Sequence, residues 1–163
     1  MEESAKNFGY DAGGHREAIF LLSGRISSLD NLILLNDSTW FPINKDDSYI
    51  DFIENSNLDF IGATSHYGFK RQRLPSKKTS LSKPQFNFNN KNFHYASYAL
   101  SFSKKILKDE NFLKFWKNLR LSGTKNLVVR RGEIGLTQYI VRNKEYSHGS
   151  LIDSGKLLSL IHI

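Results

Sequence analysis

"LILLNDSTWFP", residues 32–42, decides how the fold is read. Four aliphatic side chains in succession, Leu32, Ile33, Leu34 and Leu35, are too apolar for a half-solvated edge and read as a buried strand over residues 31–36. The chain then sets Asn36, Asp37 and Ser38 in a row, before Trp40, Phe41 and Pro42. In an open α/β sheet, ligands bind outside the carboxyl ends of the strands. Asp37 at such an end can hold a divalent metal, with diphosphate oxygens completing the shell and Asn36 and Ser38 as weaker donors. Asn, Asp and Ser are also common turn formers, and these three residues alone favour a turn closed by Pro42.

Outward from this strand, helices and strands alternate. Residues 12–23, "AGGHREAIFLLS", follow a Gly-Gly turn and predict a short helix, with Ala18, Leu21 and Leu22 on one face and Gly24 as its stop. Residues 46–55, "DDSYIDFIEN", predict a helix with acids in its first turn, where the dipole favours them. Residues 58–68 read as a second strand and residues 93–102, "FHYASYALSF", as a third. Residues 108–119 give the clearest helix, with Phe112, Phe115, Trp116 and Leu119 as a core stripe. Residues 126–143 start extended and turn helical around Glu133, and the tail 144–163 carries no signal. The pattern predicts an α/β sandwich in a single domain over 1–163, with no internal repeat.

Composition narrows the function. The 163 residues are 39% hydrophobic and 13% aromatic, a globular balance. The chain lacks cysteine, which excludes disulfides, thiolate metal sites and a cysteine nucleophile. No stretch has the ~18 apolar residues of a membrane-spanning helix, and the N-terminus lacks a signal-peptide core, so a cytoplasmic protein is expected. Of the net charge of +7, the loop 68–92 contributes seven lysines and arginines and no acid, leaving the remainder neutral. A nucleic-acid binder usually spreads its cations over a helix or sheet face. One basic loop suits a phosphate-rich ligand or an anionic membrane surface, and equally a solvated loop.

Three further stretches hold candidate chemistry. In "NFGYDAGGH", residues 7–15, Gly9, Gly13 and Gly14 permit close backbone approach or positive φ, with Asp11 and His15 beside them at a helix start. Asp11 would serve equally as a helix cap. "ATSHYG", residues 63–68, ends the second strand with His66 and Tyr67. "GEIGLTQY", residues 132–139, places Glu133 near a helix start, as a general base or as a first-turn acid answering the macrodipole.

In this order, "NFGYDAGGHREAI", "LLNDSTWFP", "DFIGATSHYG", "YASYALSFSKKIL", "FLKFWKNL" and "GEIGLTQYI" resemble the rhamnan synthesis protein F family over residues 7–140. Those are glycosyltransferase-like proteins of bacterial surface-polysaccharide synthesis, similar to GT-A transferases with a Rossmann-like nucleotide-sugar-binding sheet. The resemblance implies that Asp37 holds Mg²⁺ or Mn²⁺ on the donor diphosphate, between Asn36 and Ser38. It implies that Asn7, Gly9, Tyr10, Asp11, Gly13 and Gly14 line the nucleotide-sugar cleft, that Glu133 is the base and that His66 lies near the sugar or acceptor. The implied partners are a nucleotide-sugar donor and a polysaccharide or lipid-linked acceptor, with peripheral contact at the inner face of the cell membrane. Nucleic acid is not an expected partner. Met1 stands only six residues before Asn7, so the resemblance also implies a transferase domain without its first β-α units. A partner protein or a second copy would then cover the exposed sheet edge. The rival expectations are a non-catalytic remnant or assembly subunit, and a basic anion-binding module.

Overall fold

The computed structural model describes residues 8–37, 48–66 and 91–153. Its centre is a mixed five-stranded sheet. Strand β1 (Asn31–Leu35) pairs antiparallel with β4 (Ala99–Ser103), Leu32 opposite Phe102. Strand β4 pairs antiparallel with β2 (Phe60–His66), Phe60 opposite Phe102. Beyond Gly62, the short β3 (His94–Tyr95) takes over the same side of β2, Ser65 opposite Tyr95. On the other side of β2 lies β5 (His148–Asp153), parallel, with Phe60 opposite His148.

Apolar side chains alternate between the two faces, as the pleat requires. Leu32, Leu34, Phe60, Leu100 and Phe102 face the larger core. Helix α1 (Tyr10–Leu22) contributes Ala12 and Ile19 to it, α3 (Lys104–Leu107) Ile106 and Leu107, and α4 (Glu110–Asn118) Phe112 and Trp116. Ile61 and Ala99 face the other way, onto Tyr49 and Ile53 of α2 (Ser48–Asn55). Edge-to-face and tilted rings run from the sheet into α4: Tyr95 on Phe60 at 5.0 Å, Phe60 on Phe102 at 5.2 Å, Phe102 on Phe112 at 5.0 Å. Each such pair adds ~0.5–1.5 kcal/mol beyond the area it buries. The α/β sandwich is thus confirmed as a mixed sheet flanked by helices.

Four local expectations are corrected. The third strand is broken: Ala96, Ser97 and Tyr98 leave the ladder between β3 and β4, although Ala96 N–H still donates to the Thr64 carbonyl at 3.1 Å. Residues 126–143 are helical from their start, as α5 (Lys125–Val128), a π-helical turn (Val129–Ile134) and α6 (Gly135–Arg142). The expected featureless tail contains β5. On α1 the buried face is Ala12, His15 and Ile19, whereas Leu21 is 87% exposed. The basic loop lies outside the described residues except for Lys91 and Asn92.

Candidate functional site

The site forms where β1, α1, the β3–β4 break and the π-helical turn meet. Its first wall is the start of α1. Gly9 takes φ 99° and Tyr10 φ 52°, both left-handed. This is easy for glycine and strained for tyrosine, and such strain concentrates at functional sites. Gly13 N–H closes the turn on the Gly9 carbonyl at 3.1 Å. A Cβ on Gly13 would stand 2.4 Å from the Phe8 carbonyl oxygen, so only glycine fits there. Asp11 is thereby presented beside the end of β1, where Asn36 Nδ2 donates to its Oδ2 at 3.1 Å.

The second wall is the π-helical turn that carries Glu133. Such turns are rare and recur at functional sites. A Cβ on Gly132 would lie 3.0 Å from that of Ala12, so glycine lets this turn press against α1. Ser97, freed from the ladder, stands between the walls. Its Oγ is 3.1 Å from Asp11 Oδ2 and 3.1 Å from Glu133 Oε1. The buried His15 fixes the Ser97 backbone, its Nε2 3.0 Å from the Ser97 carbonyl.

A hydroxyl carries one proton and can donate to only one of two ionised carboxylates. Its proton therefore serves Asp11 and Glu133 in turn, and the surroundings tune Glu133. Burial pushes its pKa up and Asp11 adds to this, while Ser97, His66 and Lys125 pull the other way; the net shift is upward. On its far side, Oε2 lies 3.8 Å from His94 Nε2. His94 Nδ1 sits 2.9 Å from the Asn92 carbonyl, which can only accept, so Nδ1 carries a proton and Nε2 faces Glu133. His66 stacks on His94 at 5.4 Å between centroids. Desolvation of its ring and then the neighbouring His94 hold His66 below its ordinary value, against the pull of Glu133.

Two adjoining concavities share Asp11, Asn36, Ser97 and Glu133. One, of about 350 Å³, runs inward past Lys125 to Val128, Leu136 and Trp116. The other, more open and about 510 Å³, reaches His66 and Tyr98.

Of the residues picked from the sequence, Tyr10, Asp11, Asn36 and Glu133 line the inner cavity, and His66 lines the outer one. Gly9 and Gly13 shape the start of α1, but Gly14 has open space where a Cβ would go. Asp37 is exposed and lines neither cavity. Asn7, Ser38 and Tyr67 lie outside the described residues. Among the described residues, no group of three or more His, Asp or Glu is placed to hold a metal ion. Ser97 and His94 were not legible, because they sit inside what reads as an unbroken strand. Trp116 reads only as core.

The fold and this acidic cleft define an α/β protein with a polar site at the carboxyl end of its first strand. The chain belongs to the rhamnan synthesis protein F family, whose family model matches residues 4–159. The family takes its name from the synthesis of rhamnan, a polysaccharide. It is also 34% identical, over 133 residues, to the uncharacterized protein y4gN of Sinorhizobium fredii. That match covers 82% of this chain and 30% of the relative, so the chain spans about a third of that protein's length. No solved structure matches. No helix among the described residues is long and apolar enough to cross a membrane.

Proposed function

We propose that the chain belongs to a glycosyltransferase that moves a sugar from a nucleotide-sugar donor to a surface-polysaccharide acceptor, through a GT-A-like site. The observation that carries this reading is the convergence of Asp11 and Glu133 on Ser97, at the carboxyl end of β1. Glu133 takes the proton of the acceptor hydroxyl as the new glycosidic bond forms. A carboxylate whose pKa is raised by burial is a stronger base than a solvated one. Asp37, exposed at the strand end, would offer its carboxylate to Mg²⁺ or Mn²⁺, whose other ligands would be diphosphate and water. The ion would stabilise the leaving diphosphate. A lipid-linked glycan at the inner membrane face is the matching acceptor. The share of y4gN that the chain spans favours a second reading, in which the chain works as one part of a larger transferase.

The test is thermal denaturation with UDP-, GDP- and dTDP-sugars, with and without Mn²⁺ or Mg²⁺. A ligand at ~100 times its Kd stabilises by about 2.7 kcal/mol, and each kcal/mol raises Tm by ~2–4 °C at this size. A metal-dependent rise that Asp37→Ala abolishes is expected. No shift with any donor overturns the reading.

A further inference from the structure

We infer that a second surface, the groove between α4 and the π-helical turn, docks the protein on an anionic membrane. The inference goes beyond the transferase reading and does not need it.

The groove is open, about 620 Å³, and among the described residues it shares no lining residue with the two concavities around Ser97. Lys114 and Phe115 line it from α4, Arg120 from the segment that follows, Arg131 from the π-helical turn and Tyr139 from α6. No acid among the described residues lines it. Arg131 Nη1 donates to the Arg120 carbonyl at 3.2 Å, which ties the turn that carries Glu133 to the end of α4. Neither guanidinium meets a carboxylate among the described residues. Two acids stand nearby. Glu110 pairs with Lys114 at 3.2 Å, but both are exposed, and such a pair is worth little. Asp109 is taken up by the Tyr139 and Tyr146 hydroxyls. The groove belongs to a stretch, residues 111–131, that holds six lysines and arginines, all exposed, and no acid.

Charge alone would suit any polyanion, and the aromatic lining chooses among them. Phe115 and Tyr139 stack on each other at 5.5 Å between centroids. Phe115 also meets Trp116 edge-on at 5.5 Å, and Tyr139 meets Tyr146 at 6.3 Å. Rings engaged with one another in this way leave little face for a nucleobase to stack on. Aromatic rings beside lysine and arginine are instead the composition of a membrane interface, where rings sit at headgroup depth and cations meet lipid phosphates. A guanidinium takes a phosphate through two parallel N–H···O bonds. Each basic side chain near an anionic bilayer strengthens binding about fivefold.

The test is co-sedimentation of the full chain with vesicles of phosphatidylcholine, with and without phosphatidylglycerol. Binding to the anionic vesicles alone, weakened by salt, is expected. The chain also carries the basic loop 68–92, so two triple variants are compared. Lys114→Gln, Arg120→Gln and Arg131→Gln together neutralise the groove, and Lys77→Gln, Lys78→Gln and Lys83→Gln together neutralise part of the loop. The groove variant should lose about 10²-fold in binding, and the loop variant clearly less. Arg120→Glu alone changes one exposed side chain, so it keeps the test open if the triple variant fails to fold. It should weaken binding about tenfold or more. No binding to anionic vesicles, or equal binding to neutral ones, overturns the inference. So does a loss in the loop variant that the groove variants do not match. Retention on double-stranded DNA that the groove variants lose, with vesicle binding unchanged, overturns it in favour of nucleic acid. None of these readouts uses a nucleotide sugar, so the transferase reading stands or falls apart from them.

Discussion

Asp11 and Glu133, from opposite ends of the described chain, are held 3.1 Å from the same Ser97 hydroxyl oxygen. That relationship sets the protonation of the site. The folded protein raises the Glu133 pKa, burial being the largest cause, so the native state holds this proton more tightly than the unfolded chain does. Stability from the protonated form is complete below the unfolded value of about 4.3. It is lost as pH rises through the folded value. Glu133→Gln cannot ionise, so its Tm should gain on the wild type as pH climbs from 4 toward 7. The difference between the two proteins cancels titrations that do not feel Glu133; His66 does, so both are compared in a His66→Gln background. If Glu133 is the base, transfer should meanwhile fall by ~10²–10⁴-fold. Parallel Tm curves would remove the proton from this argument.

Ser97→Ala tests the bridge itself. The Ser97 hydrogen bond is the largest influence pulling the Glu133 pKa down. Its removal should move the ¹³C carboxyl titration of Glu133 to higher pH, and should shift the acid limb of any activity profile the same way. A purely structural serine would change Tm and leave that midpoint in place.

The glycines of α1 separate by space and not by sequence. Gly13→Ala puts a methyl against the Phe8 carbonyl and should cost about 1–3 kcal/mol in urea unfolding. Gly14→Ala, one residue on, meets nothing within 4 Å and should gain ~0.5–1 kcal/mol from helix propensity. Equal effects would mean that the close approach of Gly13 to the Phe8 carbonyl does not form.

The contrast also shows how far the sequence reads. The apolar run of β1 and the stripe of α4 are periodic and dense, so their type and burial follow from pattern alone. The α1 face was misjudged because Phe20, Leu21 and Leu22 offer apolar side chains all round; packing buries Ile19 and leaves Leu21 outside. Residues 126–129, "NLVV", look extended because the valines favour strands, yet burial of Val128 in the core keeps them helical. Strand β5 is half-buried along most of its length and shows no alternation to read. In the site, the carboxylates were visible as residues. The β3–β4 break that turns Ser97 between them depends on pairing with β1 and β2, which no local pattern encodes: Asn36 N–H takes the Tyr98 carbonyl at 3.1 Å.

One carboxylate anchors Ser147, the residue that leads into β5, and this gives the last prediction. Asp59 Oδ2 accepts from the Ser147 N–H and hydroxyl, each at 2.9 Å, and from Lys105 Nζ at 3.2 Å, while Oδ1 accepts from the Ser103 hydroxyl at 3.1 Å. Burial pushes the Asp59 pKa up, but these hydrogen bonds outweigh it and the net shift is downward. Stability from a lowered carboxyl is present above its unfolded value of about 3.9 and lost as pH falls through the folded value. Asp59→Asn keeps the shape but has one acceptor oxygen for this set of donors, and should cost ~1–3 kcal/mol at pH 7. The gap between variant and wild type should narrow below about pH 4, as the wild-type carboxyl itself takes a proton. Urea unfolding at pH 7 and pH 3 measures both. A gap of constant size would show that the charge of Asp59 plays no part in seating β5.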